Sequence, residues 1–167
     1  MRFTSQAAPV MRPAPRGYMQ SFHCEAPPAA LWEALVAPET LAQWYAPEAK
    51  IEPWEGGRYW VRSRLLGARE ARIDLLEPQR RLRLVYLPNP GWPPAGDLVL
   101  VEDFMIHEAA RGRSRATVLR VLGTGVPQSP DWNPVLKRLR AAWAVSFSYL
   151  QKHLEERGHR ALLAPYA

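Results

Sequence analysis

Residues 133–158, "NPVLKRLRAAWAVSFSYLQKHLEERG", constrain the fold more than any other stretch of the chain. Val135, Leu136, Leu139, Trp143, Phe147, Leu150 and Leu154 recur at intervals of three and four, which places them on one stripe of a helix. Lys137, Arg138, Arg140, Gln151 and Lys152 occupy much of the opposite face. Asn133 is expected to cap the helix, Pro134 suits its first position, and Gly158 stands where a left-handed C-terminal residue is wanted. A helix of about 24 residues is roughly 36 Å long. An apolar stripe of that length needs a broad partner, and the rest of the sequence supplies strands.

"YMQSFHCE" (18–25) suits a first strand. The period then changes: Leu31 and Leu35, followed by Leu41, Trp44 and Tyr45, fall at helical spacings punctuated by Pro38 and Pro47. Two short helices are predicted over 28–36 and 39–45. Strand patterns follow at 58–66, 68–77, 81–87, 98–108 and 114–122, joined mostly by tight turns. "PNPGWPPAGD" (88–97) is too rich in proline for either element and is read as a loop, as is the "GTG" at 123–125. One strand, two short helices, a meander and one long helix describe an α+β domain, an antiparallel sheet of about six to seven strands covered on one face by helices. A single domain over 17–158 is expected, between a flexible extension (1–16) and a C-terminal tail (159–167).

Charge and cysteine usage narrow the function classes. The net charge of +6 invites a nucleic-acid reading, but only three of the 22 basic residues are lysine and the arginines are spread along the chain. The densest groups, "RRLR" (80–83) and "RGRSR" (111–115), read as solvated faces and strand-edge protection. No nucleic-acid partner is expected; only Trp60, Arg62 and Arg64 have the interleaving of a stacking platform. Cys24 is the sole cysteine, which excludes an intramolecular disulfide and a cysteine-based zinc site. His23, His107, His153 and His159 lack the three- or four-residue spacing of a local metal pair. No metal, cofactor or catalytic residue is assigned. No apolar run reaches the roughly 18 residues of a membrane span, so membrane insertion is not expected and a cytoplasmic location is.

Four stretches together resemble a known family. They are "APPAALWEALVAPETLAQWYAP", "EPWEGGRYW", "IDLLEPQRRLRLVY" and "WNPVLKRLRAAWAVSFSYLQKHLE". In this order they resemble the small, single-domain bacterial homologues of the activator of heat-shock protein 90 ATPase, within the START-like (SRPBCC) superfamily. The resemblance runs from about residue 18 to 156. It implies a helix-grip fold, in which a curved sheet wraps around the C-terminal helix and leaves a cavity between the two layers. It also implies binding of a small hydrophobic or amphipathic molecule there. Some relatives with this fold are cyclases or hydrolases of polyketide-like aromatic substrates, which gives an enzymatic alternative. The family name gives a third reading, an interaction protein assisting a chaperone. The chain departs from the family pattern at "PNPGWPPAGD", where a compact hairpin is usual. Sixteen residues before Gly17 are also too few for the extra N-terminal domain of the eukaryotic co-chaperone.

The expected ligand-binding set is Trp44, Tyr45, Tyr59, Val61, Tyr86, Glu102, Phe104, Trp143 and Phe147. Trp44 and Tyr45 end the second short helix. Tyr59, Val61 and Leu65 share the more apolar face of their strand, with Trp60 on the other. Trp54 fits either side of its bend, where Gly56 and Gly57 form the turn. In 98–108 the even positions Leu98, Leu100, Phe104 and Ile106 are the more apolar, so they are expected inside with Glu102, leaving Asp103 and His107 in solvent. Tyr86, alternating with Leu82 and Leu84, is the candidate inward hydroxyl. Trp92 and the tail "ALLAPYA" offer apolar surface for a homodimer contact.

Overall fold

The computed structural model describes residues 12–162. The first eleven residues of the expected extension and residues 163–167 of the expected tail, with most of "ALLAPYA", lie outside them. Strand β1 (Arg16–Cys24) leads into helices α1 (Pro28–Val36) and α2 (Pro38–Trp44). The strands β2 (Glu48–Ile51), β3 (Arg58–Ser63), β4 (Gly67–Glu77), β5 (Arg81–Tyr86), β6 (Val101–Arg111) and β7 (Ser114–Val126) follow. The long helix α3 (Asn133–Glu156) and a two-residue strand β8 (Ala161–Leu162) end the described chain. The seven longer strands form one curved antiparallel sheet in the order β2-β3-β4-β5-β6-β7-β1, with β8 added beside β1. This is the expected helix-grip arrangement, with β2 as a strand the alternation did not separate.

Local chemistry accounts for the joints. Each short helix starts on a proline, whose missing N–H costs nothing in a first turn. The Trp44 indole donates to the Ala34 carbonyl (3.0 Å) and the Tyr59 hydroxyl to the Leu35 carbonyl (2.6 Å), which ties both helices to the sheet. Gly56 has φ +82°, and a side chain at Gly57 would strike the Glu52 carbonyl, so the aromatic stretch turns where only glycine fits.

Several expectations need correction. Asn133 does not cap α3: it already has helical dihedrals, a 3-10 turn (Pro130–Trp132) precedes it, and its side-chain oxygen accepts from Arg16 at 2.5 Å. Leu65 and Leu98 lie beyond the ends of their strands and are exposed. "RRLR" does not protect an edge, because β5 lies in the middle of the sheet. Trp92 is half-buried, its ring edge-on to Trp132 at 6.0 Å. "GTG" belongs to β7, where the pairing with β1 shifts between Arg16 and Tyr18. A Cβ on Gly123 would fall 2.0 Å from the Tyr18 ring, so this glycine is the seat of an aromatic side chain.

Candidate functional site

Period-two alternation turns Tyr18 of β1, Arg69 of β4, Tyr86 of β5 and Glu102 of β6 toward α3, and the stripe of α3 turns Trp143 toward them. They meet around one carboxylate. Glu102 is fully buried and accepts from the Tyr18 hydroxyl (2.5 Å), the Tyr86 hydroxyl (2.7 Å), the Trp143 indole (2.9 Å) and the Arg69 guanidinium (3.2 and 3.4 Å). Arg69 also donates to the Tyr45 hydroxyl at 2.7 Å and lies 4.4 Å over the Tyr86 ring. Burial alone would raise the Glu102 pKa, yet the Arg69 charge and the three side-chain donors outweigh it and hold the carboxyl below its ordinary value. Burial, and the carboxylate beside them, push the Tyr18 and Tyr86 hydroxyls well above the usual phenol range. Burial would lower Arg69, but Glu102 raises it further, so the guanidinium stays charged. The pair is ionised inside the core.

Packed aromatic rings surround the pair. Tyr45 stacks on Trp143 (5.0 Å, 20°), Phe104 meets Trp143 edge-on (5.3 Å, 71°), and Phe147 touches both Trp143 and Trp44. Tyr59 and Val61 are buried on β3 in the same core. The structure therefore gathers all nine expected residues inside the molecule, as side chains packed on one another.

A cavity of about 490 Å³ lies farther out, where β4 and β5 meet the 88–97 loop. Of the nine residues, Tyr86 alone lines it. Trp60, Leu87, Trp92, Leu98, Val99 and Trp132 contribute to its apolar wall along with the loop prolines, and Arg69 and Glu70 line it from β4. The Trp132 indole anchors the loop by donating to the Pro94 carbonyl (3.1 Å), and within the loop the Gly91 N–H donates to the Asn89 side chain (2.9 Å). Leu87 N–H donates to the Glu70 carbonyl at 2.9 Å. Sequence reasoning passed over Arg69 and Tyr18. The signal for Arg69 was an arginine in phase with Ala71 and Ile73, on the buried face of its strand.

On the outer face the next residue behaves differently. Asp103 is not in free solvent as expected, because Arg81 (2.6 and 2.9 Å) and Arg83 (3.2 Å) cover it. His107 is exposed. Arg62 and Lys50 sit over the Trp60 ring at 5.7 and 5.8 Å.

The sequence model of the family described as "Activator of Hsp90 ATPase homolog 1-like protein" matches residues 25–155. The chain belongs to this family. Solved structures share the fold at low identity. Protein MLL2253 from Mesorhizobium loti is 24% identical, with 84% of this chain and 98% of that one covered at a TM-score of 0.69. The Aha1 dimer from Colwellia psychrerythraea is 16% identical, with coverage of 84% and 96% and a TM-score of 0.68. An HSP90 activator from Plasmodium falciparum is 15% identical, with coverage of 87% and 99% and a TM-score of 0.64. No curated protein is significantly similar in sequence. Among the described residues, no helix is long and apolar enough to cross a membrane.

Proposed function

We propose that this family member binds a small, mainly apolar molecule in the cavity beneath the 88–97 loop. One observation carries the reading: about 490 Å³ of space walled by tryptophan, leucine and proline, with a few polar groups on one side. That volume and that mixture are typical of small-molecule sites. The space between the sheet and α3 is a less suitable receptacle, because Trp143, Tyr45, Phe104 and Phe147 occupy it with each other. An enzymatic role finds less support, since the Glu102 carboxylate is engaged by four side-chain partners. Native mass spectrometry of freshly purified protein, then of protein incubated with fatty acids and aromatic ketones, tests the binding reading. A retained species of defined mass, lost in Trp92→Ala, is expected. Protein that stays unliganded throughout overturns it.

Family membership favours a second reading, assistance to a chaperone through the surface. Stimulation of a purified Hsp90 ATPase supports it, and an inert result removes it.

A further inference from the structure

We infer that the groove between the start of β1 and the first turns of α3 is a separate binding site, which takes a doubly charged oxyanion of the phosphate monoester class. Arg16, Asn133, Leu136, Lys137, Arg140 and Ala141 line it, and none of them lines the cavity beneath the 88–97 loop. Three cations therefore border one shallow depression.

What sets these cations apart is how they are held. Arg16 donates from Nε and Nη2 to the Pro127 carbonyl (3.0 and 2.6 Å), from Nη2 also to the Ser129 carbonyl (3.3 Å), and from Nη1 to the Asn133 side chain. Arg140 donates from Nη2 to the Gly17 carbonyl at 3.2 Å. All of these acceptors are neutral. On the outer face of the sheet Arg58, Arg62, Arg81 and Arg83 each sit against a carboxylate. Among the described residues, no carboxylate is paired with Arg16, Lys137 or Arg140. Nor does α3 contain an aspartate or glutamate before Glu155. The carbonyls fix the two guanidiniums and leave their charges uncancelled. The remaining N–H groups of Arg140 and the Lys137 ammonium are left to donate. An anion placed among them relieves the repulsion of three like charges and gains charge-assisted hydrogen bonds, with little further ordering of the arginines. Three positive charges also suit a dianion better than a monoanion, and a phosphate monoester is a dianion above its second pKa of about 6.

Methyl phosphate at about pH 8, above that pKa, is the probe, and methyl sulfate, of similar shape but one charge, is its control. In nitrogen-15 amide spectra of the whole protein, methyl phosphate should cause saturable shifts at Arg16, Gly17 and residues 136–141. It should bind about fivefold tighter than the sulfate, and Lys137→Gln and Arg140→Gln should each weaken it about two- to fivefold. Arg72→Gln, which removes another exposed cation from the outer face of β4, should leave it unchanged. Equal losses from all three variants would show attraction to net charge alone and overturn the site. Equal affinity for phosphate and sulfate overturns the dianion assignment, and the absence of saturable shifts overturns the whole inference. Equimolar phosphatidylcholine and phosphatidate vesicles separate the two sources of the group. Cosedimentation that is lost in Lys137→Gln assigns the site to a lipid headgroup. Methyl phosphate binding without cosedimentation assigns it to a soluble phosphate ester.

Discussion

Glu102 and Asp103 are neighbours on one strand, and they show how differently the two faces of this sheet use the same chemistry. Each is a carboxylate paired with arginine and held below its ordinary pKa. Glu102 points to α3 and is sealed, with both partners of its ion pair essentially inaccessible. Asp103 points away from α3, and its partners Arg81 and Arg83 are each about one third exposed. An ion pair in water is a small gain against rotamer entropy. Inside a core, the same pair is a liability unless every remaining lone pair and proton is met, which is why two tyrosines and a tryptophan surround Glu102. The inner pair therefore sets which side chains meet between sheet and helix, whereas the outer one covers a solvated surface.

The sharpest way to break this contrast is Glu102→Ala. It strands the Arg69 charge in the core together with the Tyr18, Tyr86 and Trp143 donors, and should cost about 3–5 kcal/mol in urea unfolding. The double variant Glu102→Leu with Arg69→Met removes both charges and should recover much of that loss. If the double variant is no better than Glu102→Ala alone, the buried charge is not what the single variant exposes.

Much of this contrast was legible in the chain. The even-numbered face of β6 is the more apolar one, which turned Glu102 inward, and Tyr86 follows from its alternation with Leu82 and Leu84. Both short helices, the meander and α3 follow from period alone. What alternation cannot reveal is who meets whom. Tyr18 lies 84 residues from Glu102, and Arg69 lies 33, so their pairing depends on strand order rather than on any local pattern. Arg69 was hidden by its type, since an arginine among polar neighbours reads as solvated until its phase with Ala71 is noticed. Gly123 was hidden because its purpose is the ring of Tyr18, a residue on another strand. The cavity was hidden as well. The loop's proline content signals only that it is neither helix nor strand, and gives no hint that it would roof a space beside Trp132.

Acid sharpens the comparison next. Because the folded Glu102 pKa is depressed, its contribution to stability is complete above the unfolded carboxyl pKa and is lost as pH falls through the folded one. Asp103 acts with the same sign. Unfolding free energy should therefore fall as pH drops below the ordinary carboxylate range. The double variant, which no longer has the Glu102 carboxyl, should lose less over the same interval. Parallel slopes for the two proteins in urea titrations at successive pH values would place the acid sensitivity elsewhere. At the alkaline end the tyrosines act in reverse. With folded pKa values raised, Tyr18 and Tyr86 support the fold below the unfolded phenol pKa, and that support declines as pH climbs toward their folded values.

The smallest effect is expected on the outer face. Asp103→Asn keeps the shape of the side chain and removes only its charge, and Arg81 and Arg83 can turn to water or, for Arg83, remain on Asp74 at 3.1 Å. Nothing is stranded. The variant should unfold at nearly the urea concentration of the parent, and the small difference should shrink further in about 1 M salt, where exposed charges are screened within a few ångströms. Salt should leave the Glu102→Ala deficit almost intact, because the Arg69 charge is out of reach of mobile ions. A large, salt-resistant loss from Asp103→Asn would mean that the outer arginines form a closed network of their own, and that the two faces of β6 are more alike than their exposure suggests.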